Sequence, residues 1–210
     1  MIKLMIADDH AIVREGLKQL FSLYSDISVV GEATNGSDVL VNLRTQTIDL
    51  LLLDMTMPGI SGVELITRIR AQNATLPILV LSMHNEVQIA RRALSNGASG
   101  YLTKDSDPEV LLAAIRKVAG GGRFIDPDLA EAMAFDNGKT EQAEPHELLS
   151  EREFQILRLL VGGKSVNDIA DELSISNKTV STHKTRLMQK LSVSNNAELV
   201  RYGLDNGLID

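Results

Sequence analysis

The chain has 210 residues, 44% of them hydrophobic, with a mean hydropathy of +0.01, enough for one or two cored domains and too apolar for global disorder. Its formal net charge of −7 argues against nonspecific polyanion binding by the whole surface but leaves room for a local basic stripe. Cysteine is absent, which excludes disulfides and thiolate metal sites and fits a reducing, cytoplasmic setting; no apolar run approaches the ~18 residues of a membrane span, and MIKLMIADDH lacks a signal-peptide layout.

Over residues 1–120 short apolar runs alternate with helix-like segments. Strands are expected at Lys3–Ala7, Ile27–Glu32, Asp49–Asp54, Pro77–Leu81 and Gly100–Leu102. Between them Val13, Leu17 and Leu20 recur at helical spacing, as do Leu65, Ile66 and Ile69. Asp107-Pro108 reads as an N-cap with proline at the first helical position, followed by Leu111, Leu112 and Ile115. Five strand–helix pairs imply an α/β domain: a five-stranded parallel sheet, doubly wound, with helices on both faces. Ligands of such sheets sit beyond the carboxyl ends of the strands, where strand order reverses.

Residues 121–147 change character. GGGRF leads into DNGKTEQAEPHE, which is polar and nearly free of apolar periodicity. The segment reads as a linker with room for a short helix over Leu129–Phe135.

Residues 148–210 carry no strand-like run and read as a small all-α domain. Ser150 and Glu153 match a capping box opening a helix with Ile156, Leu157 and Leu160, and Gly162-Gly163 ends it. Ser165 caps a second helix carrying Ile169 and Leu173. Ser176 caps a third, with Val180, Leu187 and Leu191 on one face, and a fourth covers Ala197–Leu204. GGKS (Gly162–Ser165) imitates the end of a phosphate-binding loop, but that pattern needs glycine where Arg158 stands and a strand where a helix precedes it.

The most apolar strand poses a question: TIDLLLLDMTMPG ends in a carboxylate, Asp54. Strand one ends similarly, in Asp8-Asp9. If strands one and three are neighbours, three acids meet at one sheet edge, where their mutual repulsion favours a hard cation; oxygen ligands without cysteine suit Mg²⁺. Strand four ends in Ser82, and Lys104 follows strand five. Acids, hydroxyl and lysine together make a site for a phosphoryl group. Taken singly, Asp8 or Asp9 could be a helix N-cap and Lys104 a solvated loop lysine; their joint placement at four strand ends favours the site.

The third tail helix has its own pattern. From Ser174 to Leu191 there are four basic residues, Lys178, Lys184, Arg186 and Lys190, and no acid, although residues 147–210 hold eight basic and nine acidic groups. Opposite the apolar face fall Lys178, Thr182, Thr185 and Gln189, with Ser181 and Arg186 beside them and Lys184 and Lys190 on the flanks. These suit base edges and phosphates. Periodicity alone serves a solvated helix of a small bundle equally well.

ADDH, LLDMTMPGISGVEL, LVLSMH and GASGYLTKD together resemble the receiver domain of two-component response regulators, over about residues 1–120. The resemblance implies a flavodoxin-like fold with Asp54 as phosphoacceptor. It implies Mg²⁺ held by Asp8, Asp9, Asp54 and the backbone carbonyl of Thr56, with Lys104 on the phosphoryl oxygens. Ser82 would be the switch hydroxyl and Tyr101 the aromatic that turns inward with it; the competing expectation for Tyr101 is a half-exposed strand residue with its hydroxyl in water. Thr56 and His84 occupy positions that tune acyl-phosphate lifetime in receivers. LSEREFQILRLLVGGKSVNDIADELSISNKTVSTHKTRLMQKLSVSN resembles the LuxR-type helix-turn-helix of NarL/FixJ-type regulators, over about residues 148–210. That implies DNA contacts by Lys178, Ser181, Thr182, Lys184, Thr185, Arg186, Gln189 and Lys190. Ser181 and Asn196 depart from the lysine and arginine common there, so contacts made by those residues in relatives do not carry over. His183 matches the family's histidine and reads as a packing residue.

The implied function is a transcription factor phosphorylated by a sensor histidine kinase and dimeric when phosphorylated, with no enzymatic activity beyond phosphoryl gain and loss at Asp54. Two alternatives compete. A Mg²⁺-dependent phosphatase usually carries a second acid two residues after its nucleophile, where this chain has Thr56. A constitutive DNA-binding protein would not need the complete acid–hydroxyl–lysine set.

Overall fold

The computed structural model describes residues 1–83, 87–135, 145–173 and 175–208. His84 and the centre of the expected linker lie outside the described residues. The chain divides into two compact units, Met1–Gly138 and Lys139–Asp210.

The first unit alternates strand and helix: β1 (Ile2–Ala7), α1 (Ala11–Ser22), β2 (Ile27–Ala33), α2 (Gly36–Thr45), β3 (Leu50–Leu53), α3 (Gly62–Gln72), β4 (Ile78–Ser82), α4 (Val87–Ser95), β5 (Gly100–Thr103), α5 (Pro108–Ala119), β6 (Phe124–Ile125) and α6 (Pro127–Phe135). All strand pairings are parallel, in the order β2-β1-β3-β4-β5-β6. The four residues of β3 are each no more than 1% exposed, because side chains alternate to two faces and helices cover both. Leu50 and Leu52 share one face with Leu4, Ile6, Leu79, Leu81 and the apolar side of α5. At roughly 1.5–3 kcal/mol per fully buried leucine, this strand is among the firmest anchors in the unit.

Five strands were expected from sequence; the sheet has six. β6 lies inside the stretch read as a linker and pairs with β5 through Gly100 opposite Phe124 and Tyr101 opposite Ile125. A two-residue strand is too short to leave a periodic signature. The chain reaches it through Gly121, whose φ of +84° is left-handed backbone open to glycine. α6 contains the short helix anticipated over Leu129–Phe135 and begins two residues earlier. Asp107 occupies the N-cap position of α5 with Pro108 behind it, but its side chain makes no capping hydrogen bond.

The second unit is helical: a 3₁₀ turn (Pro145–Leu148), α7 (Glu151–Val161), α8 (Val166–Glu172), α9 (Asn177–Leu191) and α10 (Asn196–Asp205). The expected caps form. Ser150 and Glu153 make a reciprocal capping box on α7, Ser165 makes one with Asp168 on α8, and Ser176 accepts from the Thr179 N–H at α9. Ile156, Leu157, Ile169, Val180, Leu187, Leu191 and Leu199 close one core between the helices. Among the described residues no helix is long and apolar enough to cross a membrane.

Candidate functional site

Strand order reverses between β1 and β3, and Ala7 stands opposite Leu53 at their carboxyl ends. The residues that follow, Asp8 and Asp54, therefore emerge side by side. The Asp54 N–H donates to the Ala7 carbonyl at 2.8 Å, which fixes its backbone against β1. Both side chains are nearly sealed, Asp8 at 2% exposure and Asp54 at 4%. Lys104 comes in from β5, its own N–H bonded to the Ser82 carbonyl at 2.8 Å. Its ammonium lies 2.6 Å from Asp8 Oδ2 and 2.9 Å from Asp54 Oδ2, bridging the two acids. The Thr56 N–H donates to the other Asp54 oxygen at 3.3 Å.

Neither Asp8 nor Asp9 is the N-cap of α1. That position belongs to His10, whose side chain makes no capping bond. The His10 N–H instead donates to Asp8 Oδ1 at 2.8 Å, and Arg14 donates to the Asp8 carbonyl at 2.7 Å. The first bond ties one Asp8 carboxylate oxygen to the start of α1, while the other oxygen meets Lys104. The His10 ring nitrogen Nδ1 lies 2.9 Å from Asp9 Oδ1 and 3.1 Å from Asp8 Oδ1. Oxygens of Asp8, Asp9 and Asp54 and a ring nitrogen of His10 all lie within 4.8 Å of one another. Sequence reasoning quoted His10 within ADDH but gave it no role; its approach to the acids is through-space and leaves no periodic mark.

Burial pushes the Asp54 carboxyl above its ordinary range and nearby Asp8 adds to this, while Lys104 pulls the other way without prevailing. Burial also works against the Lys104 ammonium, but Asp54 and Asp8 outweigh it and its pKa is raised. One lysine serves two buried acids, so it stays charged while Asp54 is held under electrostatic load. Three carboxylates against one ammonium leave the bowl net negative. This donor set, hard oxygens around an excess of negative charge, fits a divalent cation such as Mg²⁺.

Ser82 ends β4 wholly buried at the same edge, and Tyr101 in β5 is also wholly buried. The half-exposed reading of Tyr101 is therefore incorrect. β6 extends the sheet past β5, placing Tyr101 on an interior strand rather than an edge.

In the second unit Val180 and Leu187 are fully buried, and the opposite face of α9 is open. Lys178, Ser181, Thr182, Thr185, Arg186, Gln189 and Lys190 are exposed and Lys184 is half-buried. The Thr182 and Thr185 hydroxyls donate back to the Lys178 and Ser181 carbonyls at 2.9 and 3.0 Å, leaving their methyls and lone pairs outward. Lys190 is already engaged, its ammonium 2.6 Å from Glu153. His183 is half-buried, its Nδ1 finds no hydrogen-bond partner among the described residues, and burial pushes its pKa down.

Residues 4–116 match the model of the response regulator receiver domain, and residues 147–203 that of bacterial regulatory proteins of the luxR family. The chain is 37% identical to the response regulator UvrY of Escherichia coli over 209 residues, covering 99% of this chain and 96% of the relative. It is 34% identical to the response regulator GacA of Pseudomonas protegens over 210 residues, covering 100% and 99%. Among solved structures, it resembles RcsB of Salmonella enterica serovar Typhimurium bound to a promoter in the presence of a beryllofluoride phosphomimetic, with a TM-score of 0.62 and 30% identity over 96% of this chain and 97% of that one.

Proposed function

The chain belongs to the two-component response regulators of the NarL/FixJ type, a receiver followed by a LuxR-type helix-turn-helix, and on that premise we propose that phosphorylation of Asp54 governs DNA binding by residues 148–210. These regulators are not turnover enzymes; their chemistry is confined to the receiver. A sensor histidine kinase or a small acyl phosphate is the donor. An Asp54 oxygen attacks phosphorus, the bond to the donor's imidazole or acyl oxygen breaks, and an aspartyl phosphate forms. The observation that carries this reading is the Lys104 ammonium bridging buried Asp8 and Asp54 beside Asp9.

Asp8, Asp9, Asp54 and the Thr56 carbonyl would hold Mg²⁺, which when bound neutralises charge building on the phosphoryl oxygens. Lys104 shifts from the acids toward the new phosphoryl group, and the Ser82 hydroxyl closes on it, with Tyr101 filling the space behind. Driving such a receiver from 1:99 to 99:1 takes about 5.5 kcal/mol of differential stabilisation. The phosphorylated chain forms a homodimer that sets two copies of α9 on DNA half-sites about one helical turn apart. Lys178, Ser181, Thr182, Thr185, Arg186 and Gln189 face the groove, with Lys184 and Lys190 at the phosphates. The promoter-bound RcsB relative supports this assignment, and the lack of cysteine supports action in the cytoplasm.

Incubation with acetyl phosphate and Mg²⁺ tests the acceptor. The wild type should take up about one phosphoryl group per chain, and Asp54→Asn none. Equal uptake by Asp54→Asn would refute the assignment.

A further inference from the structure

We propose that His10 is a conditional further ligand of the cation site, adding a nitrogen donor for transition-metal ions such as Mn²⁺ and Ni²⁺ that Mg²⁺ does not exploit. The inference rests on the reading of Asp8, Asp9 and Asp54 as a divalent-cation site. His10 is the N-cap residue just before α1 because the chain turns immediately after β1, and its backbone N–H is pinned to Asp8 Oδ1 at 2.8 Å. That bond fixes the backbone from which the ring reaches back toward the acids. Nδ1 is 2.9 Å from Asp9 Oδ1 and 3.1 Å from Asp8 Oδ1. Neighbouring ligands on an octahedral ion with bonds of about 2.1 Å are separated by about 3.0 Å. The ring nitrogen is thus spaced from each of the two carboxylate oxygens as adjacent ligands of one such ion are.

Lys104 does not compete for this position. It reaches the second oxygen of Asp8 and Asp54 Oδ2, which leaves Asp8 Oδ1 and Asp9 Oδ1 facing His10. The imidazole is also 61% exposed, so an arriving ion can reach it without opening the fold. Mg²⁺ prefers oxygen and retains waters, so it gains little from the ring. Mn²⁺ and, more strongly, Ni²⁺ accept imidazole, and affinity for nitrogen-containing sites rises across that series. The cation identity that supports phosphoryl transfer is on this account set partly by His10.

Two measurements on the full chain at fixed pH and salt test the assignment. Calorimetric titration with MgCl₂ and NiCl₂ gives the ratio of affinities, and electron-spin-echo spectra of the Mn²⁺-loaded chain report any directly bound nitrogen. The wild type should show nitrogen coupling to Mn²⁺ that His10→Ala lacks. His10→Ala should weaken Ni²⁺ by about 10- to 100-fold and Mg²⁺ by far less, narrowing the selectivity. His84→Ala and His183→Ala should keep the coupling. Mn²⁺ binding without nitrogen coupling in the wild type, or coupling that survives His10→Ala, would overturn the role of His10 alone. Failure of every cation to bind the wild type would overturn it together with the site on which it rests.

Discussion

Lys104 is the residue on which the acidic bowl balances. Its side chain is 8% exposed and lies between two carboxylates exposed no more than 4%. Lys104→Ala leaves both acids buried without a counter-charge and should cost about 3 kcal/mol of stability in the absence of metal. Saturating Mg²⁺ should recover part of that deficit, because a cation that binds only the folded state stabilises it by mass action. Urea unfolding with and without Mg²⁺ measures both effects; a variant as stable as the wild type in metal-free buffer would contradict the charge balance described. Most of this site was legible in the sequence. Asp8, Asp9, Asp54, Ser82 and Lys104 sit at strand ends, and a parallel sheet gathers strand ends at one edge. What stayed hidden depends on direction in space. The turn before α1 is set by single hydrogen bonds, such as that from the His10 N–H to Asp8, and the strand that makes Tyr101's strand an interior one is too short to recognise.

Elements announced by local chemistry were readable, and those made by tertiary contact were not. Caps at Ser150, Ser165 and Ser176 rest on a side chain and a backbone N–H three residues apart, so the sequence contains both partners. β6 exists because β5 offers an edge. α6 is then held by partners distant in sequence: Ser106 donates to Asp126 just before it, at 3.0 Å, and Arg91 of α4 donates to the Met133 carbonyl at 2.9 Å. The α7 cap gives a pH prediction. Burial disfavours the charged form of Glu153, but Lys190 and the Ser150 N–H outweigh burial and hold its pKa below the ordinary carboxylate range. The folded state therefore binds this proton less readily than the unfolded chain. The stabilisation is present above the ordinary glutamate value of 4.5 and is lost as pH falls through the lower folded value. Glu153→Gln, which keeps an acceptor for Ser150 but drops the charge, should lower stability by about 1 kcal/mol at pH 7. The difference should shrink on acidification in paired thermal melts; a constant difference down to strongly acid pH would contradict the assignment.

At the scale of the molecule, two units of different construction divide the work. The first gathers three acids and a lysine at one sheet edge, where the proposed cation and phosphoryl group would sit. The second presents a basic, hydroxyl-rich face of α9 on a chain whose net charge is −7. On the proposed reading, that distribution keeps nonspecific DNA affinity low and leaves binding to the α9 residues and to the proposed dimer. The division between sheet and helices was readable from periodicity alone, whereas the assignment of α9 to DNA also required resemblance, since an amphipathic helix looks the same in a bundle and in a groove. The most direct test of the whole account is promoter-DNA affinity measured with and without acetyl phosphate and Mg²⁺ at one fixed salt concentration, on wild type and on Asp54→Asn. The account predicts that acetyl phosphate tightens binding by the wild type and leaves Asp54→Asn unchanged. Equal tightening of both, or none in a wild type shown to be phosphorylated, would contradict it.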